Sequence, residues 1–294
     1  FAVSNRMNRL IAGFCREKKV SPFAVFYMAL AIYLRRIKGQ ERFCIGVPTI
    51  NRLNFKEKQM AGMFVNTLPF VNELDASISF QEFNEKLQTD WYQLLYHQRM
   101  PFSEIKKLAA RNQEGAAPDQ LFGIVLSYQN GQIHHLQGAQ VTLEGRWLYS
   151  GYQAEPLCIH LSSRDEDNRF QVDYDYQTQL FSEREITTLH QHLMDILHSA
   201  LLHPKTPIKE LSVISEEEEE RLIFDFNQTD TWYPRKQNIA DHLREQAVMN
   251  PKRAAVIFRN ERLTYERFIR EAEQLAGKIA CFCPEGGRNV AVLM

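Results

Sequence analysis

Apolar positions along this chain follow two rhythms, one near 3.6 residues and one near 2, and the switches between them mark out its elements. Ser21 followed by Pro22 supplies a side-chain cap and a ring whose missing N–H would be unpaired at a helix start anyway. The run behind them predicts a buried helix to about Lys38, ended by Gly39. Phe43 to Ile50 predicts a strand suited to an internal sheet position, and Met63 to Leu74 a second strand pair. Ser79 with Glu82 spells a capping box before an amphipathic helix ending near His97, and Pro101 restarts a shorter helix to about Arg111. Leu121 to Tyr128, Leu157 to Ser163 and Phe170 to Tyr176 are β-rich; in the last, Val172, Tyr174 and Tyr176 alternate with Asp173 and Asp175. Ser182 with Glu185 caps another helix, whose Ile186, Leu189, Leu193, Ile196, Leu197 and Ala200 recur at helical spacing.

After His203 the pattern breaks, with Pro204 and Pro207 in a short polar stretch before Ile208 to Ile214. A domain is therefore expected over residues 1–211 and a linker over 212–237. Within the linker, Ser215 and Glu218 spell a third capping box at the head of five consecutive glutamates, which favour a helix N-terminus through the backbone dipole and form a solvated face. Residues 238–294 start a second pattern: a helix to about Met249, a strand at Ala254 to Phe258, a turn at Arg259-Asn260, an amphipathic helix from Tyr265 past Ile279, and a strand at Asn289 to Met294. Such an opening α/β unit leaves its sheet uncovered, so the natural protein is expected to continue beyond it.

Composition narrows the classes of function. The chain has 294 residues, 44% hydrophobic and 24% charged, which is a folding composition. Its 35 Lys plus Arg nearly balance 36 Asp plus Glu, so no overall field draws it to nucleic acid or an anionic membrane, and neither is expected as a partner. The longest apolar run, Pro22 to Leu34, is about half a membrane span and meets Arg35 and Arg36 at once. Phe1 opens the sequence without a basic leader or cleavage site, so no secretory signal is visible. Five cysteines without paired ligand spacing read as free thiols in a reducing, cytoplasmic compartment, and Cys281-x-Cys283 lacks the second pair a zinc site needs. His190, His192 and His198 fall on different faces of one helix and do not share a metal. Gly286-Gly287 precedes a predicted strand rather than a helix, so no phosphate loop is present and ATP binding by this piece is not expected.

Four stretches carry a resemblance: IGVPTINR at 45–52, MAGMFVNTLPF at 60–70, HQRMPFSEI at 97–105 and LFGIVLSYQN at 121–130. In this order and spacing they resemble the C-terminal half of condensation domains from nonribosomal peptide synthetases. ISEEEEERLIFDFNQT at 214–229 resembles the connector that follows such domains, and NPKRAAVIF with LTYERF, at 250–258 and 263–268, looks like the start of an amino-acid adenylation domain.

The resemblance implies an α/β (α+β) fold: a chloramphenicol-acetyltransferase-like lobe with a mixed sheet and flanking helices, then a linker helix and the opening α/β unit of an adenylate-forming domain. It implies a parent enzyme in which two carrier-bound thioesters meet in a tunnel between two lobes and form an amide, beside a domain that activates an amino acid. The parent would use phosphopantetheine on its carrier domains and ATP with magnesium. Partners would be those carrier domains, the first condensation lobe and the rest of the adenylation domain. The family's HHxxxDG signature belongs to the first lobe, so this chain is expected to hold no catalytic residue, cofactor or metal of its own. His134-His135 continues as LQGAQ and does not meet the signature.

Asn66 and Thr67, with Phe64 and His97, are implied as tunnel lining; the plain alternative for Asn66 and Thr67 is that they tie a strand turn through side-chain hydrogen bonds. Pro101 and Phe102 read as a helix start and a core filler. The chain departs from the family where Arg99 stands for an acidic residue, near Val71 where a basic residue is usual, and where residues 110–115 stand for an Arg-Asp-x-Ser-Arg-Asn-Pro stretch. Two other readings stand beside the enzyme fragment: a noncatalytic docking or scaffold module that positions carrier domains, and a self-contained acyltransferase with His135 as base.

Overall fold

The computed structural model describes residues 1–111, 120–129, 149, 151–163, 169–233 and 237–282. It divides into two compact units, Phe1–Asp225 and Phe226–Met294. The first part of the expected linker thus belongs to the first unit, where Leu211 and Val213 are buried.

In the first unit the helices start and stop where local chemistry dictates. α1 (Asn5–Lys18) is capped by Ser4, and α2 (Pro22–Lys38) by Ser21, with Gly39 closing it at a φ of 64° that suits a residue without Cβ. α3 (Phe55–Lys58) is a single turn capped by Asn54, and α5 spans Phe102–Arg111. α4 (Phe80–Tyr96) and α6 (Glu183–Leu202) both begin with complete reciprocal boxes, Ser79 with Glu82 and Ser182 with Glu185, each worth about 1 kcal/mol. Hydrogen bonds from Ser79 and Ser182 hold these glutamates below the usual carboxylate range.

Five strands, β1 (Arg42–Thr49), β2 (Asn66–Glu73), β3 (Ile124–Gln129), β4 (Leu157–Ser163) and β5 (Phe170–Tyr176), form one sheet in the order β2-β1-β3-β4-β5. β1 pairs antiparallel to β2 and parallel to β3; β3 is parallel to β4, and β4 antiparallel to β5, so the sheet is mixed as expected. Met63 to Leu74 does not form a strand pair of its own: it supplies one strand, whose partner is β1. Alternation within the segment could not reveal a partner that lies upstream of it.

The strand expected from Leu121 begins at Ile124, because Phe122 leaves the ladder and lays its ring over Gly46. A Cβ at position 46 would sit 2.5 Å from that ring, so only glycine fits. The edge strand β5 is covered by residues 1–3, Val3 N–H donating to Phe170 O at 2.9 Å and Val172 N–H to Phe1 O at 2.8 Å.

One face of the sheet carries the main core. Ile45, Val47, Phe70, Leu126, Ile159, Leu161 and Val172 point into it and meet α1, α2, α4 and α6 through Ile11, Met28, Phe80, Phe83 and Ile196. Each such large side chain contributes roughly 1.5–3 kcal/mol by leaving water. The polar amide of Asn72 is tolerated here because it donates to the Tyr27 hydroxyl and to Phe70 O.

The third capping box is only half formed. Ser215 Oγ accepts from Glu218 N–H at the head of α7 (Glu216–Glu220), which runs on as a wider turn over Arg221–Asp225. The Glu218 carboxylate does not turn back to Ser215; it engages His192 on α6. The other four glutamates of the run are exposed, as expected of a solvated face.

The second unit, taken by itself, holds α8 (Ile239–Met249) with an Asn238–Asp241 capping box, the hairpin β6 (Ala254–Phe258) and β7 (Glu261–Thr264), and α9 (Tyr265–Phe282). Arg259 turns the hairpin at a φ of 52°. The expected strand at 289–294 and the glycines at 286 and 287 lie outside the described residues. No single described helix is long and apolar enough to cross a membrane.

Candidate functional site

Sheet register decides which side chains stand together on the face opposite the main core. Side chains alternate along each strand, so Gly46 opposite Val125, Val125 opposite Cys158 and Cys158 opposite Asp175 fix one row, and the next row holds Pro48 and Thr67 on one side, then Ser127, His160 and Asp173. The first row is apolar at its centre, where Phe122, Val125 and Cys158 bury themselves with Cys44, Leu121 and Phe102. Phe102 does fill a core pocket as expected, its ring 5.5 Å from that of Phe122. Burial in this patch pushes the Cys44 thiol up to about 11 and the Cys158 thiol to about 12, so neither is a thiolate nucleophile near neutrality.

The second row is polar and only partly covered. Ser127 Oγ lies 2.7 Å from Nδ1 of His160. Nε2 of His160 lies 3.2 Å from Oδ2 of Asp175, at ion-pair distance. Burial lowers the His160 pKa below the ordinary histidine value, against the opposing pull of Asp175 and Asp173. Desolvation is the larger effect, and it leaves a neutral imidazole between a hydroxyl and a carboxylate.

At one end of this face, the loop between β1 and β2 is organised by Arg52. Its guanidinium donates to the carbonyls of Glu57, Met60 and Gly62, the last at 3.0 Å, and stacks 4.1 Å above the ring of Phe64. Arg99, one of the departures from the family pattern, pairs with Glu57. The hydrogen bond from Leu53 N–H, with Arg99 and Asn54 adding to it, draws Glu57 below the usual carboxylate range.

Asn66 donates its amide to Gln98 O at 2.9 Å and Met100 O at 2.8 Å, tying the start of β2 to the turn between α4 and α5. Thr67, by alternation, points the other way, onto the polar row. Phe64 is half-buried under Arg52, whereas His97 is exposed at the end of α4, beside a shallow groove lined by Pro69, Val71, Lys86 and Asp90. Asn66 is thus bonded to the α4–α5 turn, His97 lines the groove beside it, Phe64 belongs to the Arg52 loop, and Thr67 stands on the sheet face.

His134 and His135 lie outside the described residues, as do Cys283 and positions 112–115. Among the described residues no three His, Cys, Asp or Glu side chains converge as metal ligands. His190 and His192 are engaged separately: Nδ1 of His190 meets the Tyr174 hydroxyl at 2.9 Å, and His192 meets Glu218. Reading the sequence did not single out Ser127, His160 or Arg52. Ser127 and His160 sit on β3 and β4 and Asp175 on β5, so alternation within any one strand gives no sign that they meet.

Comparison with known proteins agrees with this architecture. The family model described as Condensation domain matches residues 1–223. Surfactin synthase subunit 1 of Bacillus subtilis (strain 168) is 31% identical over 274 residues, covering 93% of this chain and 8% of its own length. Gramicidin S synthase 2 of Brevibacillus brevis is 26% identical over 272 residues, covering 91% of this chain and 6% of its own. The chain therefore spans less than a tenth of the length of these two curated relatives.

Among solved structures, a four-domain nonribosomal peptide synthetase bound to AMP and glycine superposes with a TM-score of 0.76 at 17% identity, over 96% of this chain and 22% of that one. The first condensation domain of the CDA synthetase gives 0.56 at 16% identity, over 73% of this chain and 47% of that one. With the mixed sheet in place and three quarters of the sequence matched, this chain belongs to the condensation-domain family of the nonribosomal peptide synthetases.

Proposed function

We propose that the chain supplies the C-terminal lobe of an amide-forming condensation domain and the start of an adenylation domain, and that it does not turn over alone. The observation that carries this reading is the polar row of Thr67, Ser127, His160 and Asp173 on the sheet face opposite the main core. In a two-lobed channel that face is one wall, and carrier-bound thioesters are the substrates that pass along it.

The wall by itself positions and shields the reactants. The base beside the attacking amine comes from the HHxxxDG segment of the other lobe. Phosphopantetheine arms on carrier domains and ATP with magnesium belong to the parent assembly. Support for the adenylation start lies in NPKRAAVIF and LTYERF, which fall on α8's end, the β6–β7 hairpin and the head of α9. The described cysteines are free thiols, which supports a cytoplasmic setting.

The test is a reconstitution. The complete synthetase module containing this chain, given carriers loaded with two aminoacyl thioesters, should form a dipeptidyl thioester detectable by mass spectrometry, and residues 1–211 alone should not. Product from residues 1–211 alone would overturn the half-channel reading, and an intact module that leaves the thioesters unjoined would overturn amide formation.

A further inference from the structure

Ser127, His160 and Asp175 come from three strands and meet on one face of the sheet. Ser127 Oγ and His160 Nδ1 are 2.7 Å apart, and His160 Nε2 and Asp175 Oδ2 are 3.2 Å apart. A neutral imidazole carries its proton on one ring nitrogen and accepts with the other. The Asp175 carboxylate beside Nε2 favours the tautomer protonated there, which leaves Nδ1 to accept from the Ser127 hydroxyl.

This is the division of roles that makes a serine nucleophilic: a hydroxyl, a base within hydrogen-bond reach, and a third group that holds the base. The two ring nitrogens exchange places relative to the usual serine hydrolase order, but either one is basic enough to take the proton. None of the three groups is used by the channel-wall reading beyond supplying polarity. Their side chains are largely covered but not sealed: Ser127 is 9% exposed, and His160 and Asp175 keep 14% and 13% of their side-chain surface.

We propose that Ser127 is an acyl-accepting nucleophile toward activated carbonyl compounds, thioesters and aryl esters, with His160 as its base and Asp175 as the group that positions the ring. Oγ attacks the carbonyl carbon and forms the new C–O bond while its proton passes to Nδ1. The bond from carbon to sulfur, or to the aryl oxygen, then breaks with its electron pair on the leaving group, which takes the proton back from Nδ1. The products are an acyl ester of Ser127 and a free thiol or phenol, and nothing is oxidised or reduced. Asp175 keeps its charge throughout and offsets that of the transient imidazolium.

The inference goes beyond amide formation and is read without it. The folded 294-residue chain is incubated with p-nitrophenyl acetate and, separately, with the acetyl thioester of N-acetylcysteamine, and acetylation is located by peptide mapping. Because Cys15, Cys44, Cys158 and Cys281 are free thiols, only acetylation of serine hydroxyls is scored, peptide by peptide. Ser127 should be acetylated faster than other serines of the folded chain, and that preference should vanish in urea. His160→Gln should slow it by about 100-fold or more, the usual size of a general-base effect. Asp175→Asn should slow it as well, by up to about 10⁴-fold, through the ring's tautomer and orientation.

Equal rates in the wild type and a His160→Gln variant of native circular dichroism would overturn the proposal. Should that variant not fold, the wild type still decides: a Ser127 acetylated no faster than other serines of the folded chain overturns it as well. The outcome is independent of whether the complete module joins two thioesters.

Discussion

Nε2 of His192 on α6 lies 3.0 Å from Oε2 of Glu218 on α7, and this contact draws the glutamate away from the capping role its position spells. Arg221 sits 3.8 Å from the other carboxylate oxygen. A helix whose first four residues are all acidic is thereby fastened to the body of the lobe through one of them. Truncation, Glu218→Ala, should cost about 1–2 kcal/mol in urea unfolding, since it leaves a buried imidazole donor without its partner. Cleavage by trypsin after Arg221 should become several-fold faster in the same variant; an unchanged cleavage rate would mean that the contact does not restrain α7.

His190 makes stability depend on pH. Burial lowers its pKa to about 4 in the folded state. The unfolded chain binds a proton near pH 6.5 and the folded one does not, so stability is complete above pH 6.5 and is lost as pH falls from there to about 4. The loss from this group is on the order of 2–3 kcal/mol. A His190→Gln variant should show a shallower fall over that window, while parallel curves for the two proteins would contradict the assignment.

Gly46→Ala places a methyl group against the Phe122 ring. Both residues are held, one by the ladder of β1 and the other by the patch around Val125, so the ring cannot withdraw freely. Destabilisation of roughly 1–3 kcal/mol is expected in thermal melts. Combining it with Phe122→Leu should cost less than the sum of the two single changes, and strict additivity would show that the two sites do not touch.

Asn66→Ala removes two hydrogen bonds to the turn carbonyls of Gln98 and Met100. A loss of about 1–3 kcal/mol follows, with faster amide hydrogen exchange at the α4–α5 turn. Thr67→Val, on the opposite side of the same strand, should leave that exchange untouched. If both substitutions loosen the turn equally, the division of labour between these neighbours is wrong.

Much of the fold was legible because its signals are local. Ser79 with Glu82, Ser182 with Glu185, Pro22 and Gly39 act over three or four residues, and each appears in the structure where its spelling predicts. The misreadings share a cause. Glu218 is taken by a histidine 26 residues upstream, Met63 to Leu74 pairs with a strand already past, and Phe122 is pulled from its strand by a glycine on β1. In each case a distant partner overrode a correct local tendency.

The order of residues alone determined the caps, the helical and alternating stretches, and the family motifs, since all of these are written within a few positions of one another. Tertiary structure decided which strands became neighbours, and with that which side chains share a face. Ser127, His160 and Asp175 are 33 and 15 positions apart, and no periodicity links them. Parallel pairing of β3 with β4 and antiparallel pairing of β4 with β5 bring them together, because hydrogen-bonded register carries information that a single strand does not contain.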